Sequence, residues 1–176
     1  MLAFIRSHGR GDDAVLRNLA RRLQAEGVRL AGAVQENCAD NGRPCSRMDL
    51  VVLDGLGLRD ERIDISQQLG EAALGCRLNP DGLEHAVGLI ASDLDRRAAV
   101  RDMVILNKFG KQEAEGGGFR PVIAQALEAG LPVVTKVSRD AEPAFAAFVG
   151  ELAEELPGEE AALLSWCRRQ LGREID

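Results

Sequence analysis

Short apolar runs alternate with amphipathic stretches that close on glycine, and this alternation narrows the fold more than any other feature of the chain. LAFI (2–5) is a continuous apolar run, as a strand buried on both faces requires. Between Ala14 and Glu26 the apolar positions Leu16, Leu19, Ala20 and Leu23 recur at helical spacing, and Gly27 stands where a helix would stop. VRLAGAV (28–34) then reads as a second strand. Strand, glycine turn, helix, strand is a parallel βαβ unit. The rhythm returns further on. Asn79-Pro80-Asp81 offers a capping residue followed by proline at a first helical position, and Leu83, Ala86, Val87, Ile90 and Leu94 form one stripe to about residue 98. DMVILN (102–107) reads as a buried strand. Phe119, Val122, Ile123, Ala126 and Leu127 mark a helix ending at Gly130, and LPVVTKV (131–137) is a further strand.

The stretch between these units is different. ENCADNGRPC carries the turn signals Asn41-Gly42 and Pro44 and leads into MDLVVLDGLG and ERIDISQQLG, which predict an antiparallel hairpin inserted on one side of the sheet. The tail reads as two helical segments divided at Pro157-Gly158. One carries Phe145, Phe148, Val149 and Leu152, the other Leu163, Leu164, Cys167 and Leu171. The sum is a doubly wound, mainly parallel α/β domain. We expect residues 1–156 to form that domain and 157–176 a helical extension packed on it; 176 residues suffice for one well-buried core. Ligands in such sheets bind outside the carboxyl ends of the strands, so the loops after residues 5, 34, 106 and 137 matter most.

Charge and composition exclude several partners. The net charge is -6, there is no Tyr and one Trp, and no cluster of Lys and Arg is interleaved with aromatics, so nucleic acid is not an expected partner. No apolar run approaches the roughly 20 residues of a membrane span, and Arg6 and Arg10 follow LAFI too closely for a signal peptide; a cytoplasmic protein without membrane insertion is expected. Cys38, Cys45, Cys76 and Cys167 are scattered and read as reduced thiols. Cys38 and Cys45 are separated by six residues, a poor match to zinc-site spacing, and no metal site is expected. Neither a Gly-x-Ser-x-Gly elbow nor a His-Glu-x-x-His motif occurs.

Two loops carry chemistry. HGRGDDAVL (8–16) occupies the place of a phosphate loop, in which glycines free backbone N–H groups and a helix N-terminus attracts an anion. A phosphate loop ends in Gly-Lys-Ser/Thr, whereas this one ends in Gly11-Asp12-Asp13. The plainer reading is that Asp12 or Asp13 caps the helix. Arg6, His8 and Arg10 nevertheless supply cationic donors. LNKFGKQEAEGGGFR (106–120) places Lys108, Lys111 and Arg120 around two glycine-bearing segments, against the alternative of a solvated connector. Ser66, Gln67 and Gln68 are neutral donors that would suit a tetrahedral oxyanion or simply end a strand.

GDDAVLRNLARRLQAEGVRLAGAVQ (11–35) resembles the opening of P-loop nucleoside triphosphatases of the kinase-like group, and VILNKFGKQEAEGGGF (104–119) resembles the stretch those enzymes write as a strand followed by Asp-Glu-Ile-Gly-Lys-Met-Glu-Leu. From residue 2 to about 155, with ISQQLG, GCRLNPDGLEHAV and NKFGKQEA, the chain resembles an uncharacterised bacterial family related to that group, some of whose members are labelled as associated with molybdenum transport. The resemblance implies that the magnesium-holding acidic pair falls on Asn107 and Lys108, and the phosphate-loop lysine and hydroxyl on Asp12 and Asp13. Gly110, Lys111 and Glu113 match the relatives. It also implies that the two segments are adjacent, so that Lys108 could pair with Asp12 or Asp13, a balance of charge that would not restore phosphoryl transfer.

Three readings stay open. The first is a degenerate P-loop-type domain that binds a small anionic ligand, a nucleotide or an oxyanion such as phosphate or molybdate, linked to molybdenum uptake or cofactor metabolism. Its anion-binding candidates are Gly9, Arg10, Gly11, Asp12, Asp13, Lys108, Lys111 and Arg120, with no catalytic residue assigned. The second is a magnesium-dependent nucleoside triphosphatase, its cofactor a nucleotide with magnesium, the metal held by Asp12, Asp13 or Glu113. The third is a non-catalytic interaction or regulatory module. There the C-terminal helix with Trp166 covers the core or a second subunit, in a homo-oligomer or with a transporter-associated partner.

Overall fold

The computed structural model describes residues 1–7, 13–38, 47–67 and 77–173. Strand β1 (Leu2–Arg6) is followed by helix α1 (Asp13–Ala25), strand β2 (Leu30–Cys38) and the strands β3 (Arg47–Gly55) and β4 (Gly57–Asp64). Two short strands, β5 (Ser66–Gln67) and β6 (Arg77–Leu78), precede α2 (Pro80–Arg97) and β7 (Met103–Phe109). Then come α3 (Lys111–Ala114), α4 (Arg120–Glu128), β8 (Val133–Val137), α5 (Glu142–Val149), β9 (Ala153–Glu155) and α6 (Glu160–Gln170).

The main sheet has seven strands in the order β4-β3-β2-β7-β8-β1-β9. β2, β7, β8, β1 and β9 run parallel to one another, while β3 and β4 are antiparallel additions at one edge. The architecture is the doubly wound α/β one, and the predicted hairpin extends the sheet beyond β2. Alternation along the parallel strands feeds two cores. Ala3, Ile5, Ile105 and Val134 meet Leu16, Leu19 and Leu23 of α1 and Leu163, Trp166 and Cys167 of α6. Leu2, Val104, Leu106, Val133 and Val137 meet α2, α4 and α5 on the other face.

Local signals placed several elements. Asn79 caps α2, its side-chain oxygen accepting the Asp81 N–H at 3.1 Å, with Pro80 at the first turn. The first helix closes past Ala25 through the Val28 N–H bonded to the Leu23 carbonyl at 2.9 Å. One expectation needs correction. The segment with Leu152 leaves the helix at Val149; Leu152 is exposed, and residues 153–155 join the sheet as β9, paired in parallel with β1. The helix carrying Leu163, Leu164 and Trp166 covers this chain's own core against α1, so those side chains are not offered to a second subunit.

Candidate functional site

The carboxyl ends of β1, β8 and β7 are held level. The Ser7 N–H donates to the Val137 carbonyl at 2.9 Å and the Ser138 N–H to the Phe109 carbonyl at 3.0 Å, extending the ladder past the strands themselves. β8 lies between β1 and β7, so these two strands are not neighbours but about 10 Å apart, two inter-strand spacings. The expected pairing of Lys108 with Asp12 or Asp13 falls on side chains outside the described residues.

What occupies the intervening strand is a lysine. Lys136 pairs in register with Ile5 on the face that α1 covers, and it is 1% exposed. On its other side, Leu106 pairs with Thr135 and Phe109 with Val137, so that two residues of β7, Asn107 and Lys108, stand against the single Lys136. An extra residue of this kind re-aims side chains at the end of a strand. Asn107 is 5% exposed while Lys108 beside it is exposed. The Asn107 amide donates to Gln35 Oε1 at 2.8 Å, and Gln35 in turn donates to Asn37 at 2.7 Å. Asn107 Oδ1 is buried without a hydrogen-bond partner, as is Nε of Arg17 in the second turn of α1. Unsatisfied buried polar atoms are uncommon in a folded protein and call for an explanation.

Further out, Glu36 accepts from Arg21 at 3.0 Å and from Arg62. The Arg62 hydrogen bond, against the opposing effect of burial, holds that carboxyl below the usual range, with the charges of Arg62, Arg21 and Arg17 adding to it.

The loop after β7 is organised by Glu113. Its two oxygens accept the Gly110 N–H at 2.8 Å and the Phe119 N–H at 3.0 Å, clasping the loop shut. Gly118 sits so close that a Cβ there would stand 2.1 Å from Glu113 Oε1, so only glycine fits. Burial pushes the Glu113 carboxyl above its ordinary value, against the N–H donors and the charge of Lys108, which pull it down. Both oxygens are thus committed to the backbone, and Glu113 is not available as the metal holder that its motif suggested. A magnesium ion finds little else. Where a carboxylate pair would stand there are an amide and an ammonium, Glu36 is held by Arg21 and Arg62, and Glu142 and Glu155 are bridged by Arg6. None of these groups is a carboxylate free to hold that ion.

The other sequence candidates separate. Gly9, Arg10, Gly11 and Asp12 lie outside the described residues, as do His8, Gln68, Cys45 and Cys76, and of Asp13 only its place at the head of α1 is described. Arg6 turns to Glu155 at 2.9 Å and Glu142 at 3.6 Å. Lys111 is solvent-exposed and 3.8 Å from Glu115. Arg120 lies with its guanidinium 4.5 Å from the Phe148 ring centre, a cation–π contact joining α4 to α5. The Ser66 hydroxyl donates to Asp64 within the β5 turn. Lys108 sits near the carboxyl end of β7, a central strand. Lys136 and Arg17 were missed. Their signals were a lysine inside the otherwise apolar LPVVTKV and an arginine one turn into α1.

A family model described as "Protein of unknown function (DUF2478)" matches residues 1–166. "Molybdenum import ATP-binding protein ModC 2" of Bradyrhizobium diazoefficiens is 35% identical over 156 residues, 89% of this chain but 17% of that protein, so the chain corresponds to a small part of that relative. A solved structure, "Solution Structure of a Human Cancer-Related Nucleoside Triphosphatase", superposes with a TM-score of 0.61 at 17% identity, covering 93% of this chain and 92% of that one; the two share a fold.

Proposed function

This chain belongs to the family described as a protein of unknown function (DUF2478), and we propose that it binds a small phosphate-bearing or tetrahedral oxyanion ligand at the carboxyl end of β1, β8 and β7. The observation that carries the reading is Lys136, an ammonium 1% exposed in the middle strand of the sheet, at the edge where doubly wound folds bind their ligands. A cation held at that edge adds to the attraction it offers an anion. Lys108 beside it and the first turn of α1 above β1 supply further attraction. Of the candidates named from sequence, Gly9 to Asp13 and Lys108 belong in this proposal. Lys111 and Arg120 serve as outer charges at most, the first solvated and the second stacked on Phe148.

Shared fold with a nucleoside triphosphatase, and similarity to part of a protein named for molybdenum import and ATP binding, place nucleotides, phosphate and molybdate in the ligand panel. We favour binding over hydrolysis because Asn107 and Lys108 stand where the acidic pair is expected and both oxygens of Glu113 accept backbone N–H groups. Isothermal calorimetry of the folded chain against phosphate, molybdate, ATP and GTP tests the proposal. Saturable binding of at least one is expected; no saturable binding of any overturns it.

A further inference from the structure

We infer that Arg17 and Arg21 of α1 form a second anion-binding position, at the carboxyl end of β2, that takes a phosphate group. It is built from residues other than those at the end of β1, β8 and β7 and does not depend on the reading given for them. The two arginines are four residues apart and so share one face of the helix. The carboxylate that feels both is Glu36, near the end of β2 and 9% exposed. One Glu36 oxygen accepts from Arg21 at 3.0 Å, and the other accepts from Arg62 of β4. Asp49, in register with Glu36 on β3, is held by Arg47 at 2.7 Å. Arg17 is left over. Its Nε is buried without a hydrogen-bond partner, and among the described residues it makes no ion pair.

A buried N–H without an acceptor is a standing cost to the fold, and an oxyanion beside Arg17 removes it. A guanidinium group presents its donors as a planar fork that meets two oxygens of a phosphate group at once. The Arg21 side chain is 53% exposed while bonded to Glu36, so its remaining N–H groups stay accessible to the same ligand. A phosphate group brings about two negative charges and three acceptor oxygens, enough for both arginines. Glu36 sets the strength of the position. Its carboxylate holds Arg21 and Arg62 in place and at the same time repels an anion drawn to Arg17. Because β2 lies beside β7 and runs parallel to it, this position falls at the edge where doubly wound sheets bind their ligands.

Titration of the whole chain with inorganic phosphate, followed through the arginine Nε–H resonances in NMR, gives the test. The Arg17 Nε–H resonance is expected to shift saturably. Arg17→Lys keeps the charge without the guanidinium fork and should weaken binding, read from the Arg21 Nε–H resonance, roughly tenfold, as loss of a charge-assisted hydrogen bond does. Glu36→Gln removes the repelling carboxylate at nearly constant shape and should tighten binding severalfold, an effect that a purely structural role for these arginines would not produce. An Arg17 resonance unmoved at saturating phosphate overturns the inference, as does a Glu36→Gln variant that is folded by circular dichroism and binds no more tightly. The backbone amides of Ser7, Lys108 and Ser138 report the other position in the same titration. Shifts there without Arg17 leave the ligand-binding reading standing and remove this inference, and an Arg17 shift without them does the reverse.

Discussion

Gly32 is the residue on which the geometry of the site most depends. It lies in β2 opposite Ile105 of β7, and a Cβ there would stand 1.9 Å from the Ile105 carbonyl oxygen, at a φ of +117° that side chains rarely adopt. The two strands can approach only because this position is glycine, and the Gln35 to Asn107 hydrogen bond forms three residues further along β2. Gly32→Ala is expected to destabilise the fold by more than about 3 kcal/mol in urea unfolding, since the obstruction is backbone and cannot swing away. At this scale the sequence was only partly legible. Glycine in VRLAGAV is compatible with any buried strand, and the clash depends on a neighbour about seventy residues away. Lys136 was legible in principle, because a charged residue inside a run buried on both faces has to have a purpose.

Among the elements, those announced by local chemistry were readable and those defined by distant pairing were not. The Asn79-Pro80 start of α2, the stripe of Leu83, Ala86, Val87 and Ile90, and the hairpin turning near Gly55 and Gly57 all rest on contacts within a few residues. β9 had no such announcement, since Ala153-Glu154-Glu155 has neither an apolar run nor β-branched residues. It is a strand because β1 offers it an open edge. Nor could periodicity reveal that β8 separates β1 from β7, because strand order is settled by crossovers. That ordering changes the chemistry of the site. The strands β1 and β7 are parted by a strand that carries a buried lysine of its own, Lys136. The C-terminal helix likewise became intelligible only in its packing. Trp166 is 1% exposed, with its indole N–H donating to Glu154 at 2.8 Å, which ties α6 to the β9 strand as well as to α1.

Taken whole, the molecule is acidic, with a net charge of -6, so an anion must be drawn to this edge by local cations against the general field. The same acidity shapes its response to pH. Glu26 is held below the ordinary 4.5 of a glutamate chiefly by its hydrogen bond to Arg168, Glu36 chiefly by Arg62, and Asp102 below the ordinary 3.8 of an aspartate chiefly by Arg29. For groups lowered on folding, the stabilisation is present above the unfolded value and is lost as pH falls through the folded one. Stability should therefore hold from neutral pH to about 4.5 and decline below it. Glu113 opposes this trend, because its raised value favours the folded state at low pH. Asp102 accepts three hydrogen bonds from Arg29, between 2.6 and 3.1 Å, at the edge of the sheet remote from the site. Asp102→Asn should lower the melting temperature at pH 7 and progressively less toward pH 3, as read by circular dichroism at a series of pH values.

The central claim is that an anion binds at the carboxyl end of β1, β8 and β7, and a phosphate titration followed by backbone amide shifts in NMR tests both the binding and its place. Saturable shifts concentrated at Ser7, the first turn of α1, Asn107, Lys108 and Ser138, with the Arg29, Arg101 and Asp102 edge unmoved, are the predicted result. Shifts that do not saturate, or that gather at the opposite edge, would contradict the account.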